Sequence, residues 1–383
     1  MKEIWTADCE TDPFRKGRIP APFIWGAYCL ARDEYEEFST FDEMLDFHLA
    51  HGREIIIYAH NGGKFDWHFG LHRLEEFQPL MIISGRLSKF KIGNVEFRDS
   101  YNILPVPLSE MKKDDFDYKL LEKDVRAKHM GKIRAYLRND CVYLAEYVDR
   151  FLNEYGCGLT LAGAAMKVWQ DMSGIKAPET SEAFYGFYFG GRVECFQTGE
   201  IDKPFSVVDI NAAYPFAMMD VYPFGNSYEF IDELPQDEKE RGRCFIELNA
   251  HSLGAFPIRD EDGALRFPND GELRRFFVTG WEYNAALDTD TLAGVEIKSV
   301  IRFHQTVSFK GYIDRFYAQK SASEKGSAEY VFAKLFLNSL YGKFGANPDN
   351  YDEFMVVAED CITGAESDGY QYSGKIEKLA LVS

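Results

Sequence analysis

At 383 residues, with 46% apolar and 15% aromatic side chains, the chain has the make-up of a folded globular protein with room for two or three domains. No run reaches the roughly 18 apolar residues of a membrane span, and the start Met1-Lys2-Glu3-Ile4-Trp5-Thr6-Ala7-Asp8 has no apolar core of a secretory signal, so no membrane partner and a cytoplasmic setting are expected. Seven cysteines without a Cys-x-x-Cys pair argue against a disulfide framework or zinc ribbon, and a net charge of −19, from 43 basic and 62 acidic residues, weighs against nucleic acid unless specific motifs outweigh it.

Glu3-Ile4-Trp5-Thr6-Ala7-Asp8 predicts a first strand and Phe23–Leu30 a second. Phe41, Met44, Leu45 and Leu49 recur at helical spacing, and the β-branched run Glu54–His60 predicts a buried strand ending in the loop Asn61-Gly62-Gly63-Lys64. A long helix is predicted from Arg134 to Tyr155, closed by Gly156. Strands alternating with helices indicate an α/β domain, with a boundary near residues 156–180. Beyond it come a helix over Leu161–Met172 and the aromatic, glycine-rich stretch Phe184–Gly191. The strand Phe205–Asp209 is predicted to enter a helix at Asn211–Met219, and Glu324–Phe344 reads as one long helix.

Carboxylates punctuate the first part at suggestive places. Asp8 and Glu10, at i and i+2 of a strand, share a face. Asp66 follows the loop that begins at His60, and Tyr136 and Asp140 stand at i and i+4 of the long helix. Each pair alone is most simply a solvated loop or surface pair, and Phe65 alone is equally a core aromatic. Together, Asp8, Glu10, Asp66 and Asp140 offer hard oxygen ligands suited to Mg2+ or Mn2+, two ions per site. Such ions, roughly 4 Å apart, activate water and stabilise a leaving 3′ oxygen. Tyr136 is placed to position that water.

These three elements, in this order and spacing, resemble the ExoI, ExoII and ExoIII motifs of DnaQ-like proofreading exonucleases. Asp99-Ser100-Tyr101-Asn102-Ile103-Leu104 resembles the single-strand-binding Ser-Leu-x-x-hydrophobic motif of protein-primed family B DNA polymerases, with Tyr101 in place of leucine. Lys113-Asp114-Asp115-Phe116 resembles that subgroup's Lys-x-x-hydrophobic motif, whose lysine assists the scissile phosphate. The resemblance implies an RNase H-like exonuclease domain over residues 1–158. There His60, Asn61, Phe65, Ser100 and Tyr101 would hold a single-stranded 3′ end, with Lys113 as a catalytic aid.

The resemblance continues through residues 159–383. Val207–Pro215 resembles motif A, Asp-x-x-Ser-Leu-Tyr-Pro, with Ala212 and Ala213 replacing serine and leucine. It implies that Asp209 binds both metals and that Tyr214 sits beneath the incoming sugar. Lys334-Leu335-Phe336-Leu337-Asn338-Ser339-Leu340-Tyr341-Gly342 matches motif B, Lys-x-x-x-Asn-Ser-x-Tyr-Gly, in full. Lys334, Asn338 and Tyr341 form one helical stripe that would meet the triphosphate and nascent base pair. Gly342 closes that nucleotide-binding set, and Lys320 is a further triphosphate candidate. Tyr188-Phe189-Gly190-Gly191 resembles the Tyr-x-Gly-Gly/Ala motif that contacts template, assigning Tyr188, Gly190 and Gly191 to DNA. The implied architecture is α/β and α+β: the exonuclease domain, then a partial palm (motif A near 205–219) with helical fingers (motif B near 310–345).

Motif C, the Tyr-x-Asp-Thr-Asp hairpin that supplies a second catalytic aspartate, is not found after Gly342. Asp288-Thr289-Asp290 precedes motif B and follows a helical run, so it is set aside. A split or partial polymerase is therefore expected, with motif C and the thumb either on a missing C-terminal part or on a partner subunit. DNA 3′ ends, primer–template, dNTPs and a priming terminal protein are the other expected partners, in a host cytoplasm if the chain is phage-encoded. The alternatives are a stand-alone exonuclease with a primer–template-binding module, and a non-catalytic DNA-binding scaffold.

Overall fold

The alternation along the first residues and the fully apolar run at Ile55–Ala59 both become strands in a computed structural model, which describes residues 2–16, 18–107, 114–156, 158–177, 182–346, 353–376 and 378–383. Strand β1 (Glu3–Thr11) pairs antiparallel with β2 (Pro22–Cys29), and β2 with β3 (Glu34–Phe38). Helix α1 (Phe41–Ala50) starts where the Thr40 hydroxyl accepts the Glu43 N–H, and it buries Phe41, Met44 and Leu45. Strand β4 (Ile55–Ala59) then runs parallel to β1 and is buried at every position, as a central strand covered on both faces must be. A hairpin of β5 (Gln78–Ile83) and β6 (Arg86–Ile92) leads to β7 (Val95–Asp99), parallel to β4. Helix α2 (Met130–Tyr155) buries a stripe of Ile133, Leu137, Cys141, Leu144, Val148 and Phe151.

Helix α3 (Leu161–Ser173) and a long irregular stretch precede α4 (Ala213–Ala217). Next come β8 (Val221–Ile231), α5 (Glu238–Arg241), β9 (Cys244–Ser252) and the short pair β10 (Ile258–Arg259) and β11 (Leu265–Arg266). After β12 (Leu273–Thr279), α6 (Gly280–Asp288) and β13 (Leu292–Ser308), an antiparallel sheet of order β12-β9-β13-β8 is complete. Its central strand β9 alternates strictly, sending Cys244, Ile246, Leu248 and Ala250 into a core closed by Phe256, Phe276 and Val278. The chain finishes with α7 (Lys310–Ala322), α8 (Ala328–Phe344), β14 (Phe354–Val357), α9 (Ile362–Ser367), β15 (Tyr372–Ile376) and β16 (Leu379–Val382). No helix among the described residues is long and apolar enough to cross a membrane.

Two compact units result: Met1–Ala165 with Gln319–Phe336 and Pro348–Ser383, and Met166–Ala318 with Leu337–Asn347. The division at residue 158 expected from sequence differs from this in one respect, because residues 319–336 and 348–383 rejoin the first unit. Backbone pairing is the cause for the last strands. β14 lies antiparallel on β5, β16 on β14 and β15 on β16, giving a ten-stranded sheet of order β15-β16-β14-β5-β6-β7-β4-β1-β2-β3.

Two local expectations also differ from the structure. Phe205–Asp209 is not a strand: residues 201–210 pair with no neighbouring strand and leave Phe205, Val207, Val208 and Ile210 exposed. The last long helix begins at Ala328 rather than Glu324, since Gly326 turns the chain at φ +91 just before it.

Candidate active site

Period-two alternation puts Thr6, Asp8 and Glu10 on one face of β1. The Thr6 hydroxyl donates to the Cys141 carbonyl at 2.7 Å, which draws α2 onto that face. Gly26, opposite Asp8 on β2, leaves room for the helix, since a Cβ there would stand 3.0 Å from Leu137 Cγ. Tyr136 and Asp140 are both buried on the inner side of α2. Asp66 opens the short 3-10 segment Asp66–Arg73, and its Oδ1 accepts from the Cys9 thiol at 3.2 Å.

The charges of the other three carboxylates all bear on Asp8. Asp8 keeps some surface open to solvent, yet burial, then the charges of Asp66, Glu10 and Asp140, hold its carboxyl well above the usual carboxylate range. Burial pushes Asp66 up to about 6, against a partly offsetting hydrogen bond from Cys9. The Tyr136 phenol is driven upward by burial, by a hydrogen bond with Tyr118 (hydroxyls 3.1 Å apart) and by Asp140, so it stays neutral. Phe116 stacks on the Tyr136 ring at 4.2 Å and fixes it in place. The donors at this face are hard oxygens, and the unfavourable repulsion around Asp8 is what a bound cation would relieve, so the set suits a divalent ion of the Mg2+ kind. The side chains are not drawn into a ready ligand shell: among the described residues no three His, Cys, Asp or Glu groups stand in metal-holding geometry.

Beside this face lie the residues expected to hold a DNA end. The His60 ring shares a hydrogen bond with the Ser100 hydroxyl at 3.1 Å and another with the Val106 carbonyl at 2.9 Å. Ser100 is fully buried, so it braces the loop after β4 rather than facing solvent. Asn61 is exposed and adopts φ +63, and Phe65 is half-buried between Phe14 and Phe69. Arg86 and Tyr118 were missed by motif reading. Arg86 binds both Asn61 and Asp99, and its only local signal is the Ser84-Gly85 turn that makes a hairpin here. Lys113 lies outside the described residues.

A second set lies beyond residue 158. Tyr214 and Tyr341 stack face to face, 4.2 Å apart and 1° from parallel. A Cβ on Gly191 would come 3.0 Å from the Tyr214 hydroxyl, and one on Gly345 would strike the Tyr188 ring. Glycines at both positions thus let the tyrosines of three motifs approach. Within α8, Val331, Phe332, Phe336, Leu337 and Leu340 are buried, while Asn338, Tyr341 and Gly342 are exposed and Lys334 is half-buried. That polar stripe faces solvent, as its composition predicts. Lys320 lies in the last turn of α7, and Gly190 is exposed. Asp209 sits in the exposed irregular stretch, without the strand that was expected to aim it. Asp288 ends α6 and Asp290 adopts φ +51 just beyond, so the Asp-Thr-Asp there is a helix terminus and not a hairpin.

Residues 113–378 match the model of a family described as DNA polymerase type B, organellar and viral. The chain is 36% identical over 384 residues to the DNA-directed DNA polymerase of Enterobacteria phage PRD1, covering 97% of this chain and 66% of that protein. It is 28% identical over 329 residues to the DNA polymerase of Bacillus phage phi29, covering 77% and 56% respectively. It thus spans about two thirds or less of the length of both relatives. A crystal structure of phi29 DNA polymerase superposes with a TM-score of 0.72 at 20% identity, over 94% of this chain and 71% of that one, which shows a shared mixed α/β fold. The same polymerase complexed with single-stranded DNA superposes at 0.69, with 20% identity over 94% and 71% of the two chains.

Proposed function

Because this chain belongs to the type B DNA polymerases of the organellar and viral group, we propose that residues 1–158 form a 3′→5′ exonuclease acting on single-stranded DNA ends, and that residues 159–383 carry template- and nucleotide-facing residues of a protein-primed polymerase. One observation carries the nuclease reading: the charges of Asp66, Glu10 and Asp140 all bear on Asp8 in β1, with Tyr136 beside Asp140. Divalent ions held by these carboxylates would supply an activated water and a counter-charge for the leaving 3′ oxygen. The chain's own part is to place the substrate. Tyr136, kept neutral, orients a water through its hydroxyl. Phe65 stacks on a terminal base, worth about 1–3 kcal/mol, and His60, Asn61 and Tyr101 hold the strand, with Ser100 bracing the loop beneath them. Lys113 neutralises the scissile phosphate.

Beyond residue 158, Asp209 is the proposed metal-binding aspartate of nucleotidyl transfer. Tyr214 and Tyr341 meet the incoming sugar and base, Lys320, Lys334, Asn338 and Gly342 serve the triphosphate side, and Tyr188, Gly190 and Gly191 meet the template. The proposed domains are residues 1–158 for hydrolysis and 159–383 for a palm with fingers. We assign a second catalytic aspartate for synthesis to none of the 383 residues, and we propose a terminal protein as primer.

The test combines the chain with a 5′-labelled primer on a longer template, Mg2+ and four dNTPs. The expected product is a shortened primer, with shortening abolished by EDTA and by Asp8→Ala. Lengthening would show a further catalytic carboxylate and send attention to Asp288 and Asp290. An unchanged primer would overturn the nuclease reading and favour a DNA-binding scaffold.

A further inference from the structure

Arg86 opens β6 immediately after the tight turn at Ser84 (φ +51) and Gly85 (φ +67). Its side chain is only 12% exposed, and Asp99, its ionic partner at 2.7 Å, is completely enclosed. The same Nη1 donates to Asn61 Oδ1 at 2.5 Å, and the guanidinium lies 4.3 Å from the centre of the Tyr101 ring. Asp99 continues the network: its Oδ2 accepts the Gly63 N–H at 3.1 Å, and its Oδ1 accepts the Tyr101 N–H at 2.9 Å. The loop after β4 and the turn after β7 therefore meet at a single cation, supplied by a hairpin belonging to neither.

Two features say what this cation does. Its charge is spent on an enclosed carboxylate, so it is poorly suited to clamp a phosphate. Its two other contacts, by contrast, fall on residues with unusual demands. Asn61 adopts a left-handed conformation (φ +63, ψ +16), which asparagine tolerates better than most other residues with a side chain, and its side-chain oxygen is held by Arg86. Tyr101 stands where the polymerases that this chain resembles have leucine, and a guanidinium on its ring fixes an aromatic plane that a leucine could not offer.

We propose that Arg86 is a positioning residue that presets Asn61 and Tyr101 as the two sides of a cradle for a single-stranded base. This rests on the nuclease reading given above. Arg86 acts by removing the ordering cost that a strand would otherwise meet on binding. Its effect therefore belongs to substrate affinity and not to the chemical step.

The test follows Mg2+-dependent shortening of a 5′-labelled oligo(dT) by the full chain, its Arg86→Ala, Arg86→Lys and Tyr101→Leu variants, and measures melting temperature for each. Arg86→Ala should raise KM about tenfold, the scale of one lost base stack, and leave kcat within about twofold. Arg86→Lys should fall between the two, because a lysine keeps the charge but not the planar fork. Tyr101→Leu, which spares the Arg86–Asp99 pair, should also raise KM. A lowered kcat at constant KM overturns the proposal. If Arg86→Ala fails to fold, unchanged KM in both Arg86→Lys and Tyr101→Leu overturns it equally. If the wild-type chain does not shorten the oligonucleotide, the nuclease reading is the one that fails. Fluorescence anisotropy of labelled oligo(dT) in EDTA then decides on Arg86 alone: a tenfold weaker Kd in Arg86→Ala supports the cradle, and equal Kd values reject it.

Discussion

Burial holds the Asp66 carboxyl at about 6, against an ordinary 3.8, and that displacement has a thermodynamic sign. A carboxylate whose pKa rises on folding binds more protons in the folded state than in the unfolded one, so folded stability declines as pH climbs from about 4 through about 6. The penalty is fully present above that window and absent below it. Without divalent cations, the melting temperature of the unit containing Asp66 should therefore be lower at pH 7 than at pH 5. Asp66→Asn should flatten that difference, and Mg2+ should raise the melting temperature more at pH 7 than at pH 5. With coupling among the carboxylates the effect is about 1–2 kcal/mol, worth ~2–4 °C per kcal/mol in a domain of this size. Thermal melts at the two pH values, with EDTA and with Mg2+, measure it; a Mg2+ gain larger at pH 5 would contradict the cation role of these carboxylates.

Elements with a strong local period were legible before any coordinates: β1, β2 and β4, and helices α1, α2, α3 and α6, lie where alternation and three-four spacing put them. The face shared by Asp8 and Glu10, and that shared by Tyr136 and Asp140, followed from the same periods, while their meeting was implied by the motif resemblance alone. What stayed hidden depends on partners far away in sequence. Phe354-Met355-Val356-Val357 is an ordinary apolar run until β5 gives it an edge, and Phe205–Asp209 has strand composition but no neighbour to bond with. Arg86 was invisible because its meaning lies in two loops brought to it by the sheet. Gly63 shows how closely those loops are fitted, since a Cβ there would lie 2.1 Å from the Leu87 carbonyl oxygen, with the Gly63 N–H bonded to Asp99. Gly63→Ala should cost about 1–3 kcal/mol, because backbone must shift to admit one methyl. It should also weaken oligonucleotide binding, which chemical denaturation and anisotropy on the same preparation would read together. Full stability in Gly63→Ala would mean that the β4 loop yields easily.

Taken whole, a chain of net charge −19 approaches a polyanion against its own field. Four arginines of the first unit are already engaged, Arg86 with Asp99, Arg15 with Glu122, and Arg18 and Arg126 with Asp12, while Lys64 beside Asn61 is exposed. Those four arginines release few counterions on binding a single strand, which leaves Lys64 as the main contributor. The slope of log affinity against log salt should be shallower than about −2, given roughly 0.7 per neutralised phosphate. Titrations between low and moderate salt measure it, and a slope of −5 or steeper would reveal a basic track elsewhere on the chain. The ten-stranded sheet carries a different consequence, for synthesis of the chain on the ribosome. Strand β5 emerges early, but its outer neighbour β14 is translated only after the entire second unit. Throughout that interval the β5 edge holds unpaired N–H and C=O groups, open to the same strand of a second nascent copy. Closure of this sheet is thus a late, long-range event in folding, and slow translation or crowded expression would favour exchange of the last strands between molecules.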